Sequence, residues 1–261
     1  MKLGLYQCEA PDGDLGRGLA AIETALAEAA AAGVDMLTMP EVFLPGYASD
    51  ISPPPEGMAA AMARLSEMVA AHGVGLTIGV AEYGERVWNT AYAYGRDGAV
   101  IASYRKVQLW AEREQALYDP GDALTLFEFE GRRLGILICY DVEFPEHTRA
   151  LARAGAEAIL VPTANPKPFA NVNEVAVPAR ALESGLTIVY CNYTGVERGV
   201  EYGALSVIAG PDGRPLARMG EETGLIAADL PGPDDPAMET PFSTQFEDLR
   251  PITKIQHGTG S

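Results

Sequence analysis

The sequence predicts an α/β fold in which two β-sheets pack face to face and helices cover their outer faces. Short apolar strand patterns alternate with amphipathic helix patterns along most of the 261 residues, of which 48% are hydrophobic. The chain also contains an internal repeat, because residues 32–40 and 154–162 share one order: helix end, Ala-Gly, acid, apolar strand and proline. Two copies of one β-α-β layer would stack sheet on sheet, which predicts the paired-sheet core.

In the first half, a strand pattern in the first seven residues precedes a helix that Asp14 can cap and that ends at Gly33. The apolar residues of this helix recur at steps of three and four, as on one helix face. A short strand that begins at Asp35 and stops at Pro40 follows, and then a second helix at residues 56–72. Three further strands with short turns between them are expected to be antiparallel. They are predicted at residues 75–83, 87–94 and 99–106.

The second half continues the alternation of strands and helices. Residues 124–129 and 134–138 form a predicted hairpin, and the next helix begins at Phe144-Pro145-Glu146, since proline and an acid favour a first helical turn. The remaining elements are a strand that ends at Pro162, a helix over residues 175–184, and strands at residues 187–193, 204–209 and 224–230. We expect residues 1–261 to form a single domain, in which residues 231–261 are an irregular C-terminal tail.

Composition excludes several function classes. The formal net charge of −17 would repel a phosphate backbone or an anionic membrane, so we expect neither a nucleic-acid partner nor a membrane partner. The cysteines, Cys8, Cys139 and Cys191, follow no disulfide or zinc spacing, and only three histidines are present, so we expect no metal and no cofactor. There is neither a signal-peptide pattern nor an apolar stretch long enough to span a bilayer, which predicts a cytoplasmic protein.

Cys139 lies where a buried strand ends and a helix is about to begin. A side chain on such a tight turn is presented to a cleft, and backbone N–H groups there can bind an oxyanion. A thiol with an ordinary pKa of about 8.5 is mostly protonated at neutral pH, so a nucleophilic Cys139 needs a base and a cation nearby. The alternative is a small apolar core residue, because unpaired cysteines are often buried.

Three charged residues are candidates for these partners. Glu41 follows a strand and precedes an apolar loop, so burial would raise its pKa and make it a better base; the alternative is a carboxylate that caps the loop. Lys106 ends a strand near aromatic residues, where a surface lysine with a buried stem is the alternative. Glu114 lies in a charged loop, where a solvated side chain is the alternative.

Glu41, Lys106 and Cys139 each stand in a motif of several residues. The motifs are Met-Pro-Glu-Val-Phe, Tyr-Arg-Lys-Val-Gln-Leu and Ile-Cys-Tyr-Asp-Val-Glu-Phe-Pro-Glu. In this order they resemble the Glu, Lys and Cys motifs of the nitrilase, or carbon–nitrogen hydrolase, superfamily. Lesser motifs also match, at Trp88-Asn89-Thr90, Pro162-Thr163-Ala164-Asn165 and Arg180-Ala181-Leu182-Glu183, which leads to Asn192.

The resemblance implies a four-layer α-β-β-α sandwich and a homodimer or higher homo-oligomer formed by helix packing. It also implies that Glu41 takes the proton of Cys139 and that the sulfur then attacks a carbonyl carbon. Lys106 and the backbone N–H of Tyr140 would hold the developing oxyanion. Glu114 matches a second glutamate with which the family's amidases position the substrate amide.

The residues after the nucleophile favour amide hydrolysis. Nitrilases proper tend to carry Cys-Trp-Glu, whereas residues 139–144, Cys-Tyr-Asp-Val-Glu-Phe, resemble the form in aliphatic and amino-acid amidases. We therefore expect an amidase that converts a small aliphatic or amino-acid carboxamide to a carboxylic acid and ammonia through a cysteine thioester. The residues expected to contact the substrate are Tyr47, Tyr140, Asn165 and Phe169. Gln108 differs from the histidine that is common after the lysine motif.

Several alternatives stay open. An N-carbamoyl amino acid hydrolase would use the same three residues but needs a cation for the substrate carboxylate, for which Arg198 and Lys167 are candidates. An omega-amidase or a nitrilase proper would share the nucleophile. In a papain-type arrangement His147 would serve Cys139, although no third group that orients its ring is evident. A scaffold protein without activity would not need the intact Glu, Lys and Cys set.

Overall fold

The computed structural model of the chain describes residues 1–52, 54–232, 235 and 242–250. Its strands are β1 (Lys2–Glu9), β2 (Met36–Thr38), β3 (Gly75–Tyr83), β4 (Val87–Tyr94), β5 (Val100–Arg105), β6 (Thr125–Phe129), β7 (Arg132–Ile136), β8 (Ala158–Pro162), β9 (Thr187–Cys191), β10 (Tyr193–Thr194), β11 (Val196–Glu197), β12 (Val200–Glu201), β13 (Val207–Ala209), β14 (Pro215–Arg218) and β15 (Gly224–Asp229). Its α-helices are α1 (Leu15–Ala31), α2 (Met58–His72), α3 (Ala111–Leu117), α4 (Pro145–Arg153), α5 (Val177–Ser184) and α6 (Gln245–Asp248). Cys139–Glu143 and Lys167–Phe169 are 3₁₀ turns, and Val172–Ala176 is a π-helical turn before α5.

Within the described residues, the strands form two large sheets and a short hairpin of β11 and β12. Sheet one has the order β10-β1-β2-β3-β4-β5, with β15 antiparallel to β1. Sheet two has the order β14-β13-β9-β8-β7-β6. The repeated strands β2 and β8 occupy equivalent places, because each lies between two parallel neighbours. The repeat in the sequence is therefore a repeat in the topology.

The two sheets pack face to face through apolar side chains. Successive residues of a strand point to opposite faces, so alternate residues of each strand meet the other sheet. The inner face of sheet one includes Leu3, Leu5, Met36, Ala91 and Ala93, and that of sheet two includes Leu134, Ile136, Leu160, Val189 and Ile208. These side chains belong to one buried cluster, which confirms the predicted paired-sheet core.

Helices α1 and α2 cover the outer face of sheet one, and both were predicted from their periodicity. Asp14 caps α1 by accepting a hydrogen bond of 3.0 Å from the backbone N–H of Arg17. Helix α2 ends at Gly73, which adopts a left-handed φ of 63° that glycine tolerates without strain. The residues that the helices bury against the sheet include Ile22, Leu26, Leu65 and Val69.

Helices α4 and α5 cover the outer face of sheet two. Helix α4 begins at Pro145, as the sequence predicts. It lies close to the sheet because Gly135 has no side chain: a Cβ there would lie 2.9 Å from Leu151 Cδ1. Helix α5 buries Val177 and Ala181. The resulting order of helices, sheet, sheet and helices confirms the four-layer α-β-β-α sandwich.

Several elements differ from the predictions. The expected charged loop around Glu114 is the short helix α3, and Glu114 is its buried residue. The strand predicted to end at Tyr193 leaves sheet two at Asn192, and β10 continues beside β1 in sheet one. The Asn192 side chain makes this crossing possible, because Oδ1 accepts hydrogen bonds from the backbone N–H groups of Asn165 and Tyr193 at 2.8 and 2.9 Å. Strand β14, which the pattern does not predict, pairs with β13.

The irregular tail predicted for residues 231–261 lies largely outside the described residues. Of that range, the structure describes only 231, 232, 235 and 242–250. In the described part of the chain, no helix combines the length and apolar character that crossing a membrane requires.

Candidate active site

Cys139 is the first residue of the 3₁₀ turn that follows strand β7. Its backbone φ is +46°, a left-handed value that is uncommon outside glycine and that costs free energy unless the surroundings hold it. The side chain is partly exposed. The strand-to-helix turn predicted from the sequence is therefore present, and it is strained at the sulfur-bearing residue.

Asp141 holds this turn in place. Its Oδ2 accepts hydrogen bonds from the backbone N–H of Ile138 at 3.1 Å and from the Tyr104 hydroxyl at 2.9 Å. Its Oδ1 accepts a hydrogen bond of 2.8 Å from the backbone N–H of Gln108. Because Tyr104 and Gln108 flank Lys106 in the chain, one buried carboxylate fixes the position of Cys139 relative to Lys106. Burial raises the pKa of Asp141, and the Lys106 charge and these hydrogen bonds oppose the rise.

The loop after β2 carries Glu41 beneath the equivalent loop after β8. The backbone N–H of Glu41 donates to Thr163 O at 3.3 Å, and the Tyr193 hydroxyl donates to Glu41 O at 2.8 Å. Gly79 of β3 permits the close approach of this loop, because a Cβ at Gly79 would lie 2.6 Å from Glu41 Cα. The two repeated loops therefore meet at one mouth, as the internal repeat predicts.

Lys106 lies between two glutamates in a fully buried cluster. Its Nζ is 2.7 Å from Glu41 Oε1 and 2.7 Å from Glu114 Oε1, and all three side chains are at most 1% exposed. Asn89 Nδ2 also donates to Glu41 Oε1, at 2.7 Å. The Tyr47 hydroxyl donates to Glu114 Oε1 at 2.7 Å. The structure thus brings Glu41, which is 65 residues from Lys106 in sequence, together with Lys106 and Glu114, the three residues predicted as partners of Cys139.

The Glu41 carboxylate has one free oxygen. Oε1 accepts two hydrogen bonds, whereas the buried Oε2 has no hydrogen-bond partner among the residues that the structure describes. Buried carboxylate oxygens are nearly always hydrogen-bonded, so an exception of this kind requires an explanation. The hydrogen bonds to Oε1 fix the orientation of the carboxylate, and Oε2 is left able to accept a proton from a group in the site.

The charges of the cluster act on Cys139. Burial raises the pKa of the Cys139 thiol well above its usual value; the Glu41 charge raises it further, and the Lys106 charge lowers it. Burial also raises the pKa of Glu41 to about 7, against the lowering effect of Lys106. Burial alone would lower the pKa of Lys106, but the charges of Glu41 and Glu114 outweigh it and raise that pKa well above its usual value. At neutral pH the thiol is therefore protonated beside a charged lysine.

A small cavity of about 250 Å³ opens above Cys139. Its lining residues are Tyr47, Trp110, Cys139, Tyr140, Glu143, Ala164, Asn165, Pro166 and Phe169. We call this space the inner cavity. A second space of about 580 Å³, the outer cavity, shares Tyr47, Trp110 and Pro166 with it and adds Arg113, Lys167, Pro168, Gly199, Val200 and Glu201. A small molecule of a few heavy atoms fits within reach of the sulfur.

A family profile described as carbon-nitrogen hydrolase matches residues 2–234 of this sequence. The chain belongs to the carbon–nitrogen hydrolase family. This carbon–nitrogen hydrolase is 36% identical over 239 residues to the "Hydrolase in pqqF 5'region" of Pseudomonas protegens, which covers 88% of this chain and 82% of that protein. It is 33% identical over 229 residues to the (R)-stereoselective amidase of a Pseudomonas species, with 85% and 82% covered.

Solved structures of an amidase from Nesterenkonia sp. AN1 are similar to this hydrolase. A variant of that amidase with acrylamide added to its active-site cysteine matches with a TM-score of 0.84 and 38% identity, covering 88% of this chain and 93% of that one. Another variant of it, bound to butyramide, matches with a TM-score of 0.85. The fold and the family thus agree with the resemblance seen in the motifs.

The residues predicted to contact substrate lie around the inner cavity of the hydrolase, but they do different things. Tyr47, Tyr140 and Phe169 present aromatic rings to it. Asn165 also lines the cavity, yet its Nδ2 donates to Phe169 O at 3.0 Å and to Asn173 Oδ1 at 2.9 Å. Asn165 therefore anchors the Phe169 loop with its amide N–H groups.

The cations considered for a substrate carboxylate are both engaged elsewhere. Arg198 pairs with Asp12 and Asp50 at 2.9 and 2.8 Å and does not line either cavity. Lys167 lines the outer cavity only, where its Nζ is 2.9 Å from Glu201 Oε1.

His147, considered as a base for Cys139, packs on Phe144 instead. The two rings are 5.7 Å apart and nearly parallel. The His147 Nε2 lies 3.3 Å from Gln108 Nε2, and Nδ1 lies 3.9 Å from Asp141 Oδ1. These contacts join His147 to Phe144 and Gln108 rather than to Cys139.

Sequence reasoning missed three residues of the site. Trp110 walls both cavities and donates its backbone N–H to Glu114 Oε2 at 2.7 Å. Asp141 and Glu143 were read only as part of the motif after the nucleophile. The sequence signal for these two residues was the alternation in Asp141-Val142-Glu143, where an apolar residue separates two acids. Neighbouring side chains of a 3₁₀ turn point in different directions, so the acids and the valine need not share one environment.

Proposed function

We propose that this hydrolase cleaves the C–N bond of small primary carboxamides, and that it releases ammonia and a carboxylic acid through a thioester on Cys139. The observation that carries the proposal is the unpaired Oε2 of Glu41, buried in a charge cluster that acts on Cys139 beneath the inner cavity. The cavity accommodates an acyl group of a few carbons. The solved Nesterenkonia amidase, which binds butyramide in one variant, supports this substrate class.

In the first half of the reaction, Glu41 Oε2 takes the proton of the Cys139 thiol as the sulfur attacks the carbonyl carbon. Negative charge then develops on the carbonyl oxygen. The Lys106 ammonium and the backbone N–H of Tyr140 stabilise it; that N–H belongs to the first turn of a 3₁₀ helix, whose amides have no partner within the helix. The C–N bond breaks as Glu41 returns the proton to nitrogen, and ammonia leaves.

In the second half, water replaces ammonia beside Glu41. The carboxylate takes a proton from the water, whose oxygen attacks the thioester carbon. The C–S bond breaks, the acid leaves, and the proton on Glu41 returns to sulfur. One water is consumed and one ammonia is released, and the enzyme returns to its starting state.

Glu114 is proposed to position both Lys106 and the substrate. A carboxylate offers about four acceptor sites, and three of them accept from Lys106, Tyr47 and the backbone of Trp110. The remaining site can accept a hydrogen bond from the substrate amide. We therefore expect the Glu114→Gln variant to raise KM for amides as well as to lower kcat.

The experiment that tests the function is ammonia release from a panel of aliphatic amides, amino-acid amides, nitriles and N-carbamoyl amino acids, with Cys139→Ala as the control. Release from amides, lost in the Cys139→Ala variant, is the expected result. Release from N-carbamoyl acids alone would replace the proposal with the carbamoyl hydrolase. A carbamoyl hydrolase needs a cation that binds the substrate carboxylate. Neither candidate fits, since Lys167 is paired with Glu201 and Arg198 does not line the inner cavity.

A homodimer stays a prediction, as does the cytoplasmic compartment. The homodimer is supported by exposed apolar side chains on the helical segment 172–184, where Val175 is 64% exposed and Leu182 is 43% exposed. These residues lie about two turns apart, near one face. Light scattering tests the prediction: Leu182→Glu should yield monomers, whereas Leu216→Glu, at another exposed leucine, should not.

A further inference from the structure

Glu143 is the single charged side chain among the described residues that line the inner cavity. The other lining residues are aromatic or small, apart from Cys139 and Asn165, and the amide N–H groups of Asn165 are already used. Glu143 follows Tyr140 by three residues in the 3₁₀ turn, and side chains at this spacing lie one above the other. Glu143 and Tyr140 therefore border the same side of the cavity, one turn from the nucleophile.

The Glu143 carboxylate has no hydrogen bond or ion pair within the described part of the chain, although cations lie nearby. The Arg180 guanidinium approaches Glu143 but donates to its backbone carbonyl at 2.9 Å, and it pairs with Glu183 at 3.1 Å. Burial raises the pKa of the Glu143 carboxyl, and the charges of Arg180 and Lys106 partly oppose this rise. Glu143 is an exposed residue that lines the inner cavity, so its carboxylate is free to form a charge-assisted hydrogen bond with a cationic group of a ligand there.

We propose that Glu143 binds a cationic amine carried by the acyl group of the substrate. Amino-acid amides would then be preferred over neutral amides of the same shape and over amides that carry a carboxylate. This inference rests on the proposed amidase function, and it identifies the acyl group that the fold and the catalytic cluster leave open.

The chemistry of an amino-acid amide fits this wall of the cavity. Its α-ammonium lies two bonds from the carbonyl carbon that Cys139 attacks, so the ammonium must be close to the sulfur. Glu143 lies about one turn of the 3₁₀ helix from Cys139 and can therefore face the ammonium. The aromatic rings of Trp110 and Tyr140 also border the cavity, and their faces attract a cation. By contrast, the carboxylate of an N-carbamoyl amino acid would meet Glu143 as a like charge, and none of the described residues that line the inner cavity is a cation that could offset it.

The test uses alaninamide and isobutyramide, which differ only in an ammonium group that replaces a methyl group. kcat/KM is measured for both amides at about pH 6.5, where an α-amino group with a pKa of about 7.7–8.0 is mostly protonated. Both reactions need the same ionised Glu41, so the ratio of the two kcat/KM values isolates recognition of the acyl group. The variant is Glu143→Gln, which keeps the side-chain shape, and the control is Glu146→Gln, an exposed residue of the next turn that does not line the cavity.

In wild-type protein, kcat/KM for alaninamide divided by kcat/KM for isobutyramide should exceed one. Glu143→Gln should lower this ratio roughly tenfold, the effect expected when a hydrogen bond to a charged group is lost. Glu146→Gln should keep the wild-type ratio. An unchanged ratio in Glu143→Gln overturns the inference. An equal fall in Glu146→Gln also overturns it, because the effect would then reflect net charge alone.

A binding experiment separates this inference from the proposed function. The affinities of both amides are measured by NMR titration of Cys139→Ala and of Cys139→Ala/Glu143→Gln. If wild-type protein releases ammonia from no amide of the panel, the amidase proposal fails, and the titration still decides the role of Glu143. Roughly tenfold weaker binding of alaninamide alone in the double variant supports that role, whereas equal affinities in the two proteins refute it.

Discussion

Two lysines of this protein each lie between two glutamates, and the two clusters differ mainly in burial. The inner cluster is Lys106 with Glu41 and Glu114; the outer cluster is Lys167 with Glu201 and Glu221. In the inner cluster both distances from Nζ to a carboxylate oxygen are 2.7 Å, and the side chains are 0–1% exposed. In the outer cluster the distances are 2.9 and 3.6 Å, and the side chains are 50–72% exposed.

The comparison shows that the pattern of charges alone does not define an active site. Water screens the outer cluster, so its ion pairs contribute little and their loss exposes no unpaired charge. The inner cluster is shielded from solvent by packing, and donors such as Asn89 and Tyr47 hold its carboxylates in place. There each charge determines the protonation state of the others, and the cluster as a whole controls the Cys139 thiol.

The largest expected effect is that of Lys106→Met. This change leaves two buried carboxylates without their cation, so we expect a loss of about 3–5 kcal/mol in the free energy of unfolding. Activity should fall at least about 10²-fold, because the proposed donor to the oxyanion is lost. The pKa of Glu41 should rise, since the Lys106 charge now lowers it. Chemical denaturation and initial rates measure these effects, and a fully stable, active variant would show that the inner cluster is no different from the outer one.

The next largest effect is expected for Glu41→Gln. The amide keeps the size of the side chain but cannot take the thiol proton, so kcat/KM for amides should fall by about 10²–10⁴-fold. Stability should change much less than in Lys106→Met, because Glu114 still pairs with the lysine. Steady-state kinetics and thermal melts decide the point. Activity within a few-fold of wild type would remove Glu41 from the mechanism.

A smaller effect is expected for Gly79→Ala, which alters the support of the inner cluster without changing its charges. The new Cβ would lie 2.6 Å from Glu41 Cα, so the Glu41 loop must move. We expect a loss of about 1–3 kcal/mol in stability from overpacking, with a fall in kcat up to about 10²-fold from the displaced base. Gly16→Ala, on the exposed face of α1, is the matched control and should retain both properties.

The smallest effect is expected for Lys167→Met in the outer cluster. Its ion pairs are exposed, and its amine lies outside the inner cavity. Thermal midpoint and kcat/KM for neutral amides should match those of wild type. The same variant also tests the carbamoyl alternative: a selective loss of activity towards N-carbamoyl amino acids would make Lys167 a carboxylate-binding residue, contrary to its observed pairing.

The sequence predicted the positions of Glu41, Lys106 and Cys139 well because each follows a strand, and strand ends are set by local patterns and by the internal repeat. It did not predict α3 or the burial of Glu114. A seven-residue helix has little local signal, and the buried Glu114 depends on hydrogen-bond donors from Lys106 and from Tyr47, which is 67 residues away in sequence. The shape of the inner cavity was equally hidden, since it depends on Trp110 and on the loop that Asn165 anchors.

The central claim is that Glu41 accepts the proton of Cys139. The most direct test is the rate at which iodoacetamide alkylates Cys139, followed by mass spectrometry against pH in wild-type protein and in Glu41→Gln. Below its pKa, Glu41 is protonated and cannot take the thiol proton; above it, the carboxylate can. The wild-type rate should therefore rise with pH through an inflection near pH 7, and Glu41→Gln should react more slowly and lack that inflection. The same pH profile in both proteins would contradict the claim.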